Sequence, residues 1–383
     1  MGSLEKTIAS AFLEMAEGLE SGRYGARPRI ALTGMGSEHG EENSLAAARA
    51  AAKQGIDVHY IGSLADDALT CVSVADDEAG HAKMDELLAS GEVDGAVTMH
   101  YPFPIGVSTV GRVVTPATGK EMLIANTTGT SSGDRIEGMV LNAIAGIIVA
   151  RALGNENPTV GILNVDGARQ AEIALKKLAE GGYPITFAES SRADGGAVMR
   201  GNDVLRGTPD ILVTDSLTGN VLTKMISAFT TGGSFEATGF GYGPGIGRGY
   251  DKLVLIVSRA SGAPVVEHAL EFAGELVRGG VFKVAEEEYA RADAAGLEAI
   301  LAERRAAEKK PAEEEAVSAP PAEPVTASIP GIEVMDLEDA VQVLWRAGIY
   351  AESGMGCTGP LVMMSEANHD KAVELLTQAG YIG

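Results

Sequence analysis

Cys357 lies in Gly354-Met355-Gly356-Cys357-Thr358-Gly359-Pro360 and is one of only two cysteines in 383 residues. Glycines give a thiol no bulky neighbours and let a substrate come close to the backbone. The pattern suits a thiol that is reached, not one that is packed. To act as a nucleophile it must become a thiolate, and no base adjoins it. The nearest histidine in sequence is His369, and a residue such as His39 serves only if this segment docks on the rest of the chain. Cys71, between Thr70 and Val72, reads as a small core residue.

Three other segments carry polar chemistry. Thr33-Gly34-Met35-Gly36-Ser37-Glu38-His39-Gly40 follows a predicted strand. Asn126-Thr127-Thr128-Gly129-Thr130-Ser131-Ser132-Gly133 follows another. Asp215-Ser216-Leu217-Thr218-Gly219-Asn220 opens a predicted helix that carries Lys224. Backbone N–H groups at helix starts, with small hydroxyls, make a cradle for anions, and Lys224 adds one positive charge. Each loop alone is ordinary turn chemistry; three on one edge of a sheet make a candidate phosphate site. Gly239–Gly249 has glycine at every second position. It fails as a dinucleotide motif because Gly249 precedes a strand instead of opening a helix. It reads as a flexible loop, with Arg248 a candidate anion contact. No Walker loop, His-Glu-x-x-His, Gly-x-Ser-x-Gly or paired-cysteine pattern occurs, so no metal site is expected.

These loops must be held by elements. Residues 1–305 alternate strand-like and helix-like runs: strands at 29–33, 57–62, 95–100, 121–126, 159–164, 184–188, 210–215 and 253–258, with helices at 42–54, 81–89, 135–153, 167–180, 219–229 and 264–278. Such alternation predicts an α/β fold with parallel sheets covered on both faces, its ligands at the carboxyl ends of strands. Residues 306–329 hold four prolines, five glutamates and seven alanines, the composition of a linker. Residues 330–383 form a small α+β module: a helix at 337–347 that Asp336 would cap, strands at 349–351 and 361–365, and a helix at 368–379. A tether of this length spans on the order of 25–30 Å, enough to carry Cys357 across much of one face of the body.

Composition narrows the function. The formal net charge of −23 argues against nucleic acid and against an anionic membrane surface. Two cysteines make no disulfide framework and fit a reducing cytoplasm. The apolar run 139–150 is too short to span a bilayer and reads as a buried helix. No secretory or myristoylation signal is read at the first residues, Met1-Gly2-Ser3-Leu4-Glu5-Lys6.

Gly36-Ser37-Glu38-His39-Gly40, Asn155–Asn164 and Asp215–Lys224, in that order, resemble the phosphate acyltransferase family PlsX. That family carries Gly-Gly-Asp-His-Gly and Asp-Gly-Phe-x-Gly-Asn at the first and last of these places. The resemblance implies a two-subdomain body like those of phosphotransacetylases and isopropylmalate dehydrogenases, with an acyl-phosphate site in the cleft. PlsX has no Gly-Cys-Thr-Gly-Pro tail. With the tail, nearly the whole chain resembles the alpha-subunit family of protein C of glycine/sarcosine/betaine reductase. That resemblance implies a beta subunit and a selenoprotein A as partners. A carboxymethyl group on the selenocysteine of protein A would be released reductively as an acetyl thioester on Cys357. Inorganic phosphate, a substrate and not a cofactor, would attack the thioester to give acetyl phosphate. Asn126, Thr127, Thr128, Gly129, Thr130, Gly219 and Asn220 would hold phosphate and the oxyanion, with Gly36, His39 and Lys224 nearby. Asp215 is expected to orient Asn220 or Lys224. Two alternatives stand beside this: a PlsX-type enzyme acting on acyl-carrier protein or CoA, and a non-catalytic thiol carrier.

Overall fold

A computed structural model describes Phe12 and residues 27–192, 195–308, 317–332, 336–356 and 359–382. The chain divides into two compact units, residues 1–163 with 185–291, and residues 164–184 with 292–383.

The first unit is built on a twelve-stranded sheet. Its first half comprises β1 (Arg29–Thr33), β2 (Asp57–Gly62), β3 (Thr70–Ser73), β4 (Gly95–Thr98) and, later in the chain, β12 (Val254–Ile256), all paired parallel in the order β3-β2-β1-β4-β12. Its second half comprises β6 (Glu121–Thr130), β7 (Thr159–Leu163), β8 (Thr186–Phe187), β9 (Val198–Met199) and β10 (Ile211–Val213), again parallel. Between them lie β11 (Gly243–Gly247) and β5 (Val107–Val114), whose three antiparallel pairings reverse the direction of the second half. The parallel expectation therefore holds within each half and fails at the seam.

The seam corrects two expectations. Residues 127–130, expected in a loop, continue β6, because β-branched threonines suit a strand and β5 supplies a partner. The glycine-rich run, expected to be flexible, contributes the wholly buried strand β11. Glycine is required there: a Cβ on Gly243 would lie 1.7 Å from the Val110 carbonyl oxygen, and one on Gly245 would lie 2.4 Å from the Phe103 ring. No side-chain alternation marks a strand chosen for close backbone approach.

Helices cover the sheet: α1 (Glu41–Lys53), α2 (Asp77–Ser90), α3 (Arg135–Ala152), the short α5 (Gly201–Arg206), α6 (Ser216–Ser227) and α7 (Ala263–Arg278). Asp134 caps α3 by accepting from the Glu137 N–H at 2.7 Å, and α3 is buried almost all round, as its apolar run predicts. Cys71, expected in the core, is only half-buried on edge strand β3 and bonds to the Asp66 backbone.

The second unit holds α4 (Ala168–Glu180), α9 (Leu297–Glu308) and the C-terminal module; α8 (Val281–Ala294) precedes α9 in the chain. The module comprises α10 (Leu337–Arg346), α11 (His369–Gln378) and an antiparallel sheet of β13 (Ala327–Pro330), β14 (Ala351–Gly356) and β15 (Gly359–Met364) in the order β13-β15-β14. Leu337, Val341, Leu344, Val362, Met364 and Leu376 form its own core. The sequence places the first strand at 349–351; it starts at Ala351 and runs to Gly356. The linker-like stretch is trimmed at both ends, since 306–308 finish α9 and 327–329 open β13, while 309–316 lie outside the described residues. Asp336 makes no capping bond; its carboxylate accepts from Gln170 on α4 instead. Among the described residues no helix is long and apolar enough to cross a membrane.

Candidate functional site

The loops that follow β1, β4 and β12 leave the carboxyl ends of three neighbouring parallel strands, where such sheets place ligands. They meet the far end of β6 and the first turns of α6 around a cleft of about 410 Å³. Glu38, Met99, His100, Tyr101, Ser258 and Arg259 line it from the loops. Thr128, Asn220, Lys224 and Tyr242 complete the polar wall, with Ile256 and Val257 beside them. The loops are tied together: the Glu38 N–H donates to the Arg259 carbonyl at 2.9 Å, and Asn43 Nδ2 donates to the Ser261 carbonyl at 3.0 Å.

The polar residues foreseen from the sequence divide into those in the cleft and those behind it. Thr128, Asn220 and Lys224 line the cleft. Asn220 Nδ2 donates to the Thr127 carbonyl at 3.1 Å, which fixes α6 against β6. Asn126 is buried and its amide is spent on the protein: Oδ1 accepts from Thr109 and Thr128 N–H groups, and Nδ2 donates to the Gly129 carbonyl. Thr127 is fully buried, shares a 2.6 Å hydrogen bond with the Thr109 hydroxyl and donates to the Tyr242 carbonyl at 2.5 Å. Gly129 has φ 77°, and a Cβ there would lie 2.6 Å from the Val107 carbonyl. These three shape the wall and do not line it. Thr130 ends β6 at the surface, away from the lining residues.

Gly219 works by absence. A Cβ on it would fall 1.8 Å from the Asn126 carbonyl oxygen, so glycine alone lets α6 close on β6. Asp215 orients neither Asn220 nor Lys224. It caps α6, accepting from the Thr218 N–H at 3.0 Å and its hydroxyl at 2.7 Å. That leaves less of the helix N-terminus for an external anion than the loop sequence suggests.

His39 stands beside the cleft. Its Nε2 lies 3.2 Å from the Ala260 carbonyl, and its ring meets Phe235 edge-on at 5.6 Å. Gly36, at φ 91°, faces the Asp77 carboxylate and Met99. Cys357 and Thr358 separate β14 from β15 in sequence and lie outside the described residues.

Sequence reading missed Arg259, Ser258, Glu236 and Tyr242. The Ser258-Arg259-Ala260-Ser261-Gly262 loop after a predicted strand carries the same small-residue signal as the three loops singled out. Glu236 carries no such signal, because only the fold brings it under Lys224, whose Nζ it accepts at 2.8 Å. The resulting wall presents an ammonium, a guanidinium, an amide and two hydroxyls, the donors an oxyanion needs.

Residues 28–363 match the family model described as fatty acid synthesis protein. The alpha subunit of component C of the glycine/sarcosine/betaine reductase complex of Peptoclostridium acidaminophilum is 55% identical over 384 residues, covering 100% of each chain. A phosphate acyltransferase of Thermus thermophilus is 27% identical over 234 residues, covering 51% of this chain and 70% of that one. Among solved structures, a branched-chain phosphotransacylase from Enterococcus faecalis V583 aligns with a TM-score of 0.46 and 19% identity, covering 65% of this chain and 99% of that one.

Proposed function

The chain belongs to the fatty acid synthesis protein family and is a close relative of the component C alpha subunit of glycine/sarcosine/betaine reductase, and on that premise we propose that it forms acetyl phosphate from an enzyme-bound acetyl group. The observation that carries the reading is the convergence of Lys224, Arg259, Asn220, Thr128 and Ser258 on one cleft. Phosphate is held by the two cations and oriented by the amide and hydroxyls. The acetyl group is carried as a thioester on Cys357. A phosphate oxygen attacks the thioester carbonyl, and a C–O bond forms as the carbonyl becomes a tetrahedral oxyanion. The C–S bond then breaks, Cys357 leaves as thiolate, and acetyl phosphate departs. Thr128 and Asn220 donate to the oxyanion in this scheme. The partners are a second subunit of component C and the selenoprotein that supplies the carboxymethyl group, and the reaction belongs in the cytoplasm.

Arsenate-dependent hydrolysis of acetyl phosphate by the full chain, with and without its partner subunit, tests this. Cys357→Ala is expected to lower the rate at least a hundredfold while leaving phosphate binding intact. Full activity in that variant would instead favour direct transfer to an acyl-carrier protein or CoA. Activity that the isolated wild-type chain lacks and that only the partner restores would reduce this chain to a carrier of the acyl group.

A further inference from the structure

Glu236 is 1% exposed. A carboxylate buried that deeply needs hydrogen-bond donors around it. Three do: Lys224 Nζ at 2.8 Å and the Tyr242 hydroxyl at 3.0 Å on one oxygen, and the Ser261 hydroxyl at 3.0 Å on the other. Burial and the neighbouring carboxylate both push the Tyr242 phenol above its ordinary range, so it stays protonated and donates. The Lys224 ammonium has three N–H bonds, of which Glu236 takes one and the Ser258 hydroxyl, at 3.1 Å, another. One of the two cations on the wall therefore meets its ligand already paired. Arg259 is freer: its nearest carboxylate, Asp77, is 3.9 Å away, and both side chains are substantially exposed.

We propose that Glu236 holds Lys224 against the cleft wall while cancelling much of its charge, which keeps phosphate affinity low enough for an anionic acyl phosphate to leave. The inference rests on the acyl-phosphate reading of the cleft and deepens it. Glu236 is a positioning residue, because it acts through Lys224. Its two effects on an incoming anion oppose each other. Its charge repels the anion, and its tether saves the anion the cost of ordering Lys224. Glu236 is itself buried although Lys224 is half-exposed, so its repulsion is screened less than that of a surface carboxylate and outweighs the rotamer freedom of one lysine. Removing the charge should therefore tighten binding, whereas loss of a purely structural residue would loosen it.

The experiment titrates the full chain with inorganic phosphate by calorimetry and follows acetyl phosphate turnover in parallel. Glu236→Gln keeps the shape and removes the charge. It is expected to half-saturate at roughly one tenth of the wild-type phosphate concentration and to turn over more slowly. Glu236→Asp, which restores the charge, is expected to move both values back toward wild type. Unchanged or weaker phosphate binding in a folded Glu236→Gln protein overturns the proposal. If that variant does not fold, Lys224→Ala and the double variant Lys224→Ala/Glu236→Gln, which removes both partners of the pair, decide. Repulsion by Glu236 predicts tighter phosphate binding in the double variant than in Lys224→Ala, and equal or weaker binding overturns it. A wild-type chain that binds no phosphate overturns the acyl-phosphate reading itself, a result separate from one in which wild type binds and Glu236→Gln does not tighten.

Discussion

At the scale of single residues, buried carboxylates organise the first unit, and each does so by gathering donors. Glu236 gathers a lysine, a tyrosine and a serine. Asp203, fully buried on α5, accepts from the N–H groups of Ser191 and Arg200 and from the hydroxyls of Ser190, Ser191 and Thr208. Burial alone would raise its pKa, but these hydrogen bonds outweigh it and hold the carboxyl at about 2. A depressed carboxyl stabilises the fold fully above the ordinary carboxylate pKa. That stability is lost as the pH falls from about 4 toward 2. Asp203→Asn is expected to cost on the order of 2 kcal/mol near neutrality and to flatten acid sensitivity across that window. Denaturant midpoints at pH 7, 4 and 3 check this; parallel wild-type and variant curves would contradict it. Neither carboxylate was legible as such in the sequence. Asp203 sits 12 and 13 residues from its serine partners, and Glu236 meets groups up to 25 residues away.

At the scale of elements, the contact of α6 with β6 is the one that shapes the cleft. It depends on Gly219 lying under the Asn126 carbonyl and on Asn220 reaching the Thr127 carbonyl. Gly219→Ala would force these backbones apart. It is expected to destabilise the first unit by about 1–3 kcal/mol and to weaken phosphate binding as Asn220 and Lys224 shift. Thermal unfolding and the phosphate titration read both effects, and a variant with wild-type values in both would refute the contact's importance. Much at this scale was legible. The strand predictions at 29–33 and 57–62 coincide with β1 and β2, and the helix at 135–153 with α3 to within a residue. Alternating apolar runs and caps carry that signal. The seam strand β11 was illegible, because glycines selected for backbone approach carry no side-chain period; β5, rich in β-branched residues, was missed although its residue types suit a strand. The segment at 126–133 brings Thr128 to the cleft, but residues 127–130 are strand and not irregular loop, since threonine serves both turns and strands.

At the scale of the whole molecule, the chain combines a cleft built entirely within its first unit with a cysteine in a module that has its own core. The alternation of strands and helices pointed to an α/β body; the composition shift near residue 306 does not coincide with the division between the units, because residues 164–184 and 292–305 belong with the second. The cations of the cleft stand out against a formal net charge of −23, so a local donor set, not the overall charge, must attract phosphate. The two cysteines supply an internal contrast. Cys71 is half-buried with its sulfur hydrogen-bonded to the Asp66 backbone, whereas Cys357 lies between glycines in sequence. The central claim is that Cys357 alone carries the acyl group. Brief exposure of the full chain to acetyl phosphate, followed by peptide mass spectrometry, tests it most directly. One acetyl group is expected on the peptide containing Cys357 and none on that containing Cys71. An unmodified Cys357 in a chain that turns over acetyl phosphate would contradict it.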